Sequence, residues 1–185
     1  MRWQCDAAIP DADESDIHPV IACGNELVAK ATKGEQTPSG SVTSALLDFS
    51  SDGVHWTQVA NPGEPRHALY CANDQVWTVA DHHGSQVLAV ASPSGTSRTS
   101  PRLANESWIY AITGDGHRLF VYGTTNYVSD NDGLSFRRFN SNLGEFGGLT
   151  SVLVSPPRYS HGMYLAVAAT GLVESRDGMH WQRVK

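Results

Sequence analysis

The sequence predicts an all-β fold, a β-propeller of about four four-stranded blades. Two observations carry this prediction. A short turn pattern, Ser-x-Asp-Gly-x-x-Trp, occurs twice and a third time stretched by one residue. Around the copies, apolar and β-branched runs of strand length alternate with Gly, Pro, Asn and Asp clusters, and no capped amphipathic helical stretch occurs.

The first copy is Ser50-Ser51-Asp52-Gly53-Val54-His55-Trp56 and the last is Ser175-Arg176-Asp177-Gly178-Met179-His180-Trp181. The stretched copy is Ser129-Asp130-Asn131-Asp132-Gly133-Leu134-Ser135-Phe136. Asp and Asn side chains bond their own downstream backbone, and Gly takes positive φ at no steric cost. Each copy therefore reads as the turn of a hairpin, flanked in the first case by Ala45, Leu46, Leu47 and Phe49 before it and by Val59 after it. The expected role is a folding clip, with Ser50, Asp52, Gly53, Trp56, Ser129, Asn131, Gly133, Phe136, Ser175, Asp177, Gly178 and Trp181 as structural residues. A turn Asp also suits catalysis or cation binding, but a fold has no use for several copies of one catalytic acid.

Spacing sets the repeat. Gly133 and Gly178 are 45 positions apart, and Gly53 and Gly133 are 80 apart, nearly two periods. A degenerate copy is expected between them, at Ser92-Pro93-Ser94-Gly95-Thr96 after the apolar run Val87-Leu88-Ala89-Val90. Four repeats of about 40–50 residues, the size of a propeller blade, then fill one domain, at approximately 17–60, 67–103, 106–140 and 148–185. Innermost strands are expected at 18–23, 67–71, 108–112 and 150–154. Turns follow at Gly24-Asn25, Asn73-Asp74, Gly114-Asp115-Gly116, and Pro156-Pro157 with His161-Gly162. Second strands are expected at 26–31, 75–80, 118–122 and 163–168.

Residues 1–5 read as an orphan outer strand, because Met1-Arg2-Trp3-Gln4 matches Met179-His180-Trp181-Gln182. Three arrangements accommodate it: a four-blade ring with an extra edge strand, a piece of a larger propeller, or a homo-oligomer that completes the propeller across an interface. Unpaired strand edges favour such association.

These turns resemble the Asp-box repeat, also called the bacterial neuraminidase repeat. That family's pattern, Ser/Thr-x-Asp-x-Gly-x-x-Trp/Phe, sits between the third and fourth strands of a propeller blade. Residues 129–136 fit its spacing, with Asn131 where Asp is usual, while the other two copies lack one residue between Asp and Gly. The resemblance implies a sialidase-like propeller. It says little about chemistry, since Asp-boxes occur in sialidases, other glycoside hydrolases, assembly factors and non-enzymatic binding proteins.

Composition narrows the function classes. With 40% hydrophobic and 17% charged residues, the chain is globular rather than disordered. A net charge of −6 and the lack of a basic run argue against nucleic-acid and acidic-membrane partners. No run of about 20 apolar residues suits a membrane helix, and the segment after Met1 is polar and acidic, unlike a signal peptide. If Met1 is the true start, the expected location is cytoplasmic. The three cysteines, Cys5, Cys23 and Cys71, then read as free thiols, Cys23 and Cys71 being buried at equivalent strand ends. A Cys23–Cys71 disulfide is the alternative if adjacent blades bring them together.

Asp-box and first-hairpin turns should share one face of the propeller. The opposite face should carry the long loops at 30–43, 61–67, 81–86, 103–107, 124–126 and 140–148, where binding residues usually reside. Asp81-His82-His83-Gly84 is the densest group of metal-ligand types, with His67, Glu64 and Glu106 as further donors. Adjacent histidines on a strand point to opposite sides and no third ligand has a recognised spacing, so an exposed polar loop with no metal and no cofactor is expected. Glu64, Arg66, Glu106, Tyr122 and Glu145 could line a sugar-binding surface. Glycosidases need two carboxylates facing across the substrate, and sialidases a Tyr, acids and three Arg. The chain lacks the Arg-Ile-Pro motif typical of sialidases, and Arg137, Arg138 and Arg183 fall in outer strands. Phe146, in Gly144-Glu145-Phe146-Gly147-Gly148, suits either a surface stacking platform or burial against the third blade.

No residue is therefore assigned a catalytic role. The reading is a non-catalytic binding or assembly module for a carbohydrate or protein ligand, with Glu64, Arg66, His67, Asp81, His82, His83, Glu106, Tyr122, Glu145 and Phe146 as candidate ligand contacts. The alternative is a glycoside hydrolase with its site on the face opposite the Asp-boxes.

Overall fold

The computed structural model describes residues 20–38, 40–60, 69–82, 85–101, 103, 109–147 and 155–184. The protein is an all-β, four-bladed propeller of four antiparallel four-stranded sheets, each ordered as in the sequence. Blade 1 comprises β1 (Ile21–Cys23), β2 (Glu26–Thr37), β3 (Gly40–Ser50) and β4 (Thr57–Ala60). Blade 2 comprises β5 (Tyr70–Ala72), β6 (Gln75–His82), β7 (Ser85–Ser92) and β8 (Gly95–Thr99). Blade 3 comprises β9 (Ile109–Gly114), β10 (Leu119–Gly123), β11 (Asn126–Ser129) and β12 (Arg137–Phe139). Blade 4 comprises β13 (Ser155–Ser160), β14 (Met163–Ala168), β15 (Gly171–Ser175) and β16 (Gln182–Arg183). The orphan strand expected at 1–5, and Cys5 within it, lies outside the described residues.

Turn chemistry places the strand ends. Asn73 and Asp74 both take positive φ, 52° and 54°, as do His161 and Gly162, 52° and 80°. Such pairs match the right-handed twist of hairpin strands. All three expected motif copies form the turn between third and fourth strands, and the degenerate copy at 92–96 spans the β7–β8 turn.

Four local expectations are corrected. The loop expected at 30–43 is mostly ladder, with β2 and β3 paired from Leu27↔Ser50 out to Thr37↔Gly40. The loop at 81–86 is a hairpin end, Asp81 opposite Gln86 and His82 opposite Ser85. In blade 4, Pro156 and Pro157 lie inside the innermost strand rather than in a turn. Proline offers no ladder donor, so β13 slips register between Ser155 and Arg158 where they sit. Cys23 and Cys71 form a disulfide across the first two innermost strands, with Cα atoms 5.3 Å apart, overturning the free-thiol reading for this pair. The one regular non-strand turn among the described residues is a 3₁₀ turn, η1 (Leu143–Phe146), in the link between blades 3 and 4.

Blades stack through apolar joints. A large cluster spans blades 2, 3 and 4, built on Trp77, Val79, Phe120, Tyr122, Tyr164 and Trp181. A smaller one joins blades 1 and 2 through Val28, Leu47, Phe49, Val76 and Ala91. Two joints share one device. A Cβ added to Gly133 of blade 3 would lie 2.6 Å from Trp77 of blade 2, and one added to Gly178 of blade 4 would lie 3.1 Å from Phe120 of blade 3. The motif glycine thus lets each turn sit directly on the aromatic face of the preceding blade. Phe120 also packs edge-on against Phe139 and Tyr164, with ring centroids 5.6 Å and 5.4 Å apart. Lys30 of β2 is buried, and that burial lowers its ammonium pKa to about 8.

Candidate functional site

The recurring Ser-x-Asp-Gly turns are closed hydrogen-bond circuits. Ser50 Oγ accepts the Gly53 N–H at 2.8 Å and donates to Asp52 Oδ1 at 3.1 Å. Asp52 Oδ1 also accepts the Val54 and His55 N–H groups, each at 2.8 Å, while Oδ2 pairs with His55 Nδ1 at 2.7 Å. The last copy repeats this with Ser175, Asp177, Gly178, Met179 and His180, down to the 2.6 Å pair between Asp177 Oδ2 and His180 Nδ1. In the stretched copy Asn131 Oδ1 accepts the Ser135 N–H at 2.9 Å, and its amide donates to Ser135 Oγ at 2.9 Å. Serine there stands in for histidine.

The carboxyls follow from this wiring. The His55 ring and the His55 and Val54 amides hold Asp52 well below the usual carboxylate range. Burial pushes Asp177 up, but the His180 ring, the His180 and Met179 amides and Ser175 outweigh it and hold this carboxyl low as well.

A second network, not anticipated from the sequence, ties the first-hairpin turns together on the same face. Asp115 accepts from Arg118 Nη2 at 2.8 Å, Arg118 Nε at 3.0 Å and the Tyr164 hydroxyl of blade 4 at 2.6 Å. Its other oxygen accepts the Arg118 and His117 N–H groups at 2.7 Å and 3.0 Å. From blade 2, Asn73 Oδ1 accepts the Gly116 N–H at 2.8 Å. That oxygen lies so close to Gly114 that any Cβ there would meet it at 2.2 Å. The Gly114-Asp115-Gly116 signal marked the turn, but partners 43 and 49 positions away are a product of blade stacking.

Burial pushes the Asp115 carboxyl up, but bonds from Tyr164, Arg118 and His117 prevail and bring it down to about 2. An unfolded Asp titrates near about 3.9, so this contribution is fully present above about pH 4 and is lost as pH falls towards 2. Urea unfolding across that window should show stability falling with acidification, with a shallower fall for Asp115→Asn. Parallel pH profiles for the two proteins would contradict the assignment.

A depression of about 260 Å³ opens among these turns, lined by residues of all four innermost strands or their turns, including Ala22, Cys71, Asn73, Asp115 and Tyr159. Shallow hollows also lie beside the motif turns of both blade 3 and blade 4, of about 270 and 310 Å³. Their recurrence marks them as features of the turn. Among the described residues no group of three or more His, Cys, Asp or Glu side chains could hold a metal ion.

On the opposite face the expected contacts separate. Glu145 is exposed on η1, and Phe146 is partly buried against the core of blades 2–4. The Phe146 carbonyl accepts the Thr170 N–H at 3.3 Å and the Thr170 hydroxyl at 3.1 Å, fixing this link to the β14–β15 turn. Tyr122 is not on this surface. It is fully buried in the joint between blades 3 and 4, where its hydroxyl donates to the Gly178 carbonyl at 2.7 Å. The reason is register: Tyr122 lies two residues after Phe120 on β10 and shares its blade-facing side. Asp81 and His82 end β6. Glu64, Arg66, His67, His83 and Glu106 lie outside the described residues.

Asn142, which precedes η1, is a positioning residue that sequence reading missed. Its Oδ1 accepts the Trp181 N–H at 2.7 Å, and its Nδ2 donates to the Trp181 carbonyl at 3.1 Å. It clamps the blade 3–4 link to the last motif turn. No protein-family model matches the chain, and no curated protein matches it.

Proposed function

We propose that the chain is a non-catalytic binding or assembly module on a sialidase-like Asp-box scaffold, taking a carbohydrate or protein ligand on the face opposite the Asp-box turns. The observation that carries this reading is the fate of the motif acids. Asp52 and Asp177 commit both carboxylate oxygens to partners within their own turns. An acid held low by such bonds is a poor proton donor near neutral pH. The same Ser-centred circuit at the third-to-fourth-strand turn of three blades also supports the Asp-box resemblance.

That leaves the loops and links of the opposite face as the binding surface, on a scaffold whose stacked blades hold them in place. Glu145 and Phe146 of η1 are its candidates on that link, and Glu64, Arg66, His67, Asp81, His82, His83 and Glu106 are the further candidates from the sequence. A glycan array and a panel of aryl glycosides test the reading together. Binding without turnover, weakened by Glu145→Ala, is the expected result. Turnover abolished by substituting an acid of that face would replace it with the hydrolase reading.

A further inference from the structure

The strand ladders place equivalent residues of each blade in register. The motif serine stands opposite Leu27 in blade 1, Leu119 in blade 3 and Tyr164 in blade 4. The next residue along the second strand faces the following blade at Val28 and Phe120, and Leu165 takes the same side of blade 4. Trp77 takes that place in blade 2, where Ala72↔Gln75 matches Cys23↔Glu26 of blade 1. Val28, Trp77 and Phe120 are 0%, 2% and 0% exposed, whereas Leu165 is 37% exposed. Two residues on, Lys30, Val79 and Tyr122 are at most 2% exposed, whereas Val167 is 38% exposed. Leu172, opposite Val167, is 45% exposed. Among the described residues, the fourth blade therefore carries a blade-joining surface with no blade on it.

The matching half stands at the other end of the row. Gly133 and Gly178 rest on the preceding blade's aromatic rings, but the Cβ direction of Gly53 meets, among the described residues, only Leu27 of its own blade, at 3.4 Å. Gly53 and Leu27 are both partly exposed. Deeper in blade 1, Ala29 and Asp48 are already buried, so the free part is the turn-side edge. That edge is the part which Gly133 and Gly178 use in the inner joints.

We propose that the outward face of blade 4, centred on Leu165 and Val167, docks the Gly53–Leu27 edge of a second copy of this chain, head to tail. The occupant is argued from continuity with the existing joints: the same surface meets the same turn twice within the chain. A heterologous contact of this kind closes into a ring when its rotation permits. Two copies would bring about eight blades together, within the range that propellers adopt. One position distinguishes this joint from the inner ones. Glu174 stands where Phe49, Val90 and Val128 stand in the other blades, and it accepts a hydrogen bond from Gln182 Nε2 at 2.9 Å. A carboxylate at the seat makes the contact reversible, unlike the apolar inner joints. The proposal rests on the assembly half of the functional reading and needs no glycan ligand.

Sedimentation velocity across a concentration series tests it on the full chain. The wild type should show a concentration-dependent species at least twice the 20.0 kDa chain mass. Leu165→Arg should weaken association by roughly tenfold or more, as expected for an anchor at the centre of an interface. Glu174→Val, which installs the residue type of the inner joints, should tighten it. Leu27→Arg should also weaken it. Mixing that variant with Leu165→Arg should restore a one-to-one pair, because one intact seat then meets one intact edge. A wild type that stays monomeric throughout, a Leu165→Arg protein that associates as the wild type does, or a mixture without rescue would each overturn the proposal. If Leu27→Arg does not fold, Leu165→Arg and Glu174→Val still decide it in opposite directions. Glycan binding by a strictly monomeric protein would retain the binding function while rejecting this joint.

Discussion

Replacing Gly133 with alanine is expected to destabilise the propeller by about 3 kcal/mol, the sum of a left-handed backbone penalty and overpacking. The backbone there has φ +77°, and the new methyl would lie 2.6 Å from Cη2 and 3.3 Å from Cζ3 of Trp77. The indole has little freedom to retreat. Its Nε1 donates to the Ala72 carbonyl at 3.3 Å, and the Arg98 guanidinium lies 5.2 Å above its ring. Gly116 supplies the control, with φ +85° and nothing within 4 Å of an added Cβ. Gly116→Ala should therefore cost only the conformational penalty, about 1 kcal/mol. Urea unfolding of the two variants separates the terms, and equal losses would show that the glycine serves the turn alone rather than the joint between blades.

Loss of the Cys23–Cys71 disulfide is expected to cost about 4 kcal/mol by the loop-closure relation, given the 48-residue separation of the cysteines. For a domain of this size that lowers the melting temperature by about 10 °C. The bond joins blade 1 to blade 2 at the innermost strands, beside the smaller of the two main core clusters. A Cys23→Ala/Cys71→Ala protein, and the wild type melted in reductant, should show the same loss. A melting temperature indifferent to reductant would mean that the apolar joint alone holds blade 1.

The repeat and its strands were legible because they depend on short-range chemistry. Ser, Asp or Asn and Gly at fixed offsets dictate the turn circuit, and Asn73-Asp74 and His161-Gly162 dictate their hairpins, whatever lies elsewhere in the chain. Pro156 and Pro157 misled for a related reason. Their turn preference is local, but an innermost strand accommodates them by slipping register. The candidate site was less legible. Tyr122 ends an expected second strand and reads as a candidate sugar contact, and only its register with Phe120 commits it to the joint.

By itself, then, the sequence determined the all-β class, the number of blades and the places of the motif turns. These follow from residues a few positions apart. The tertiary structure alone decided that Cys23 and Cys71 bond, that Asp115 gathers Arg118 and Tyr164, and that Leu165 of blade 4 is exposed where Phe120 of blade 3 is buried. Each of those depends on how one blade lies against the next. That stacking is set by non-directional apolar burial over side chains far apart in the chain, which no local pattern records.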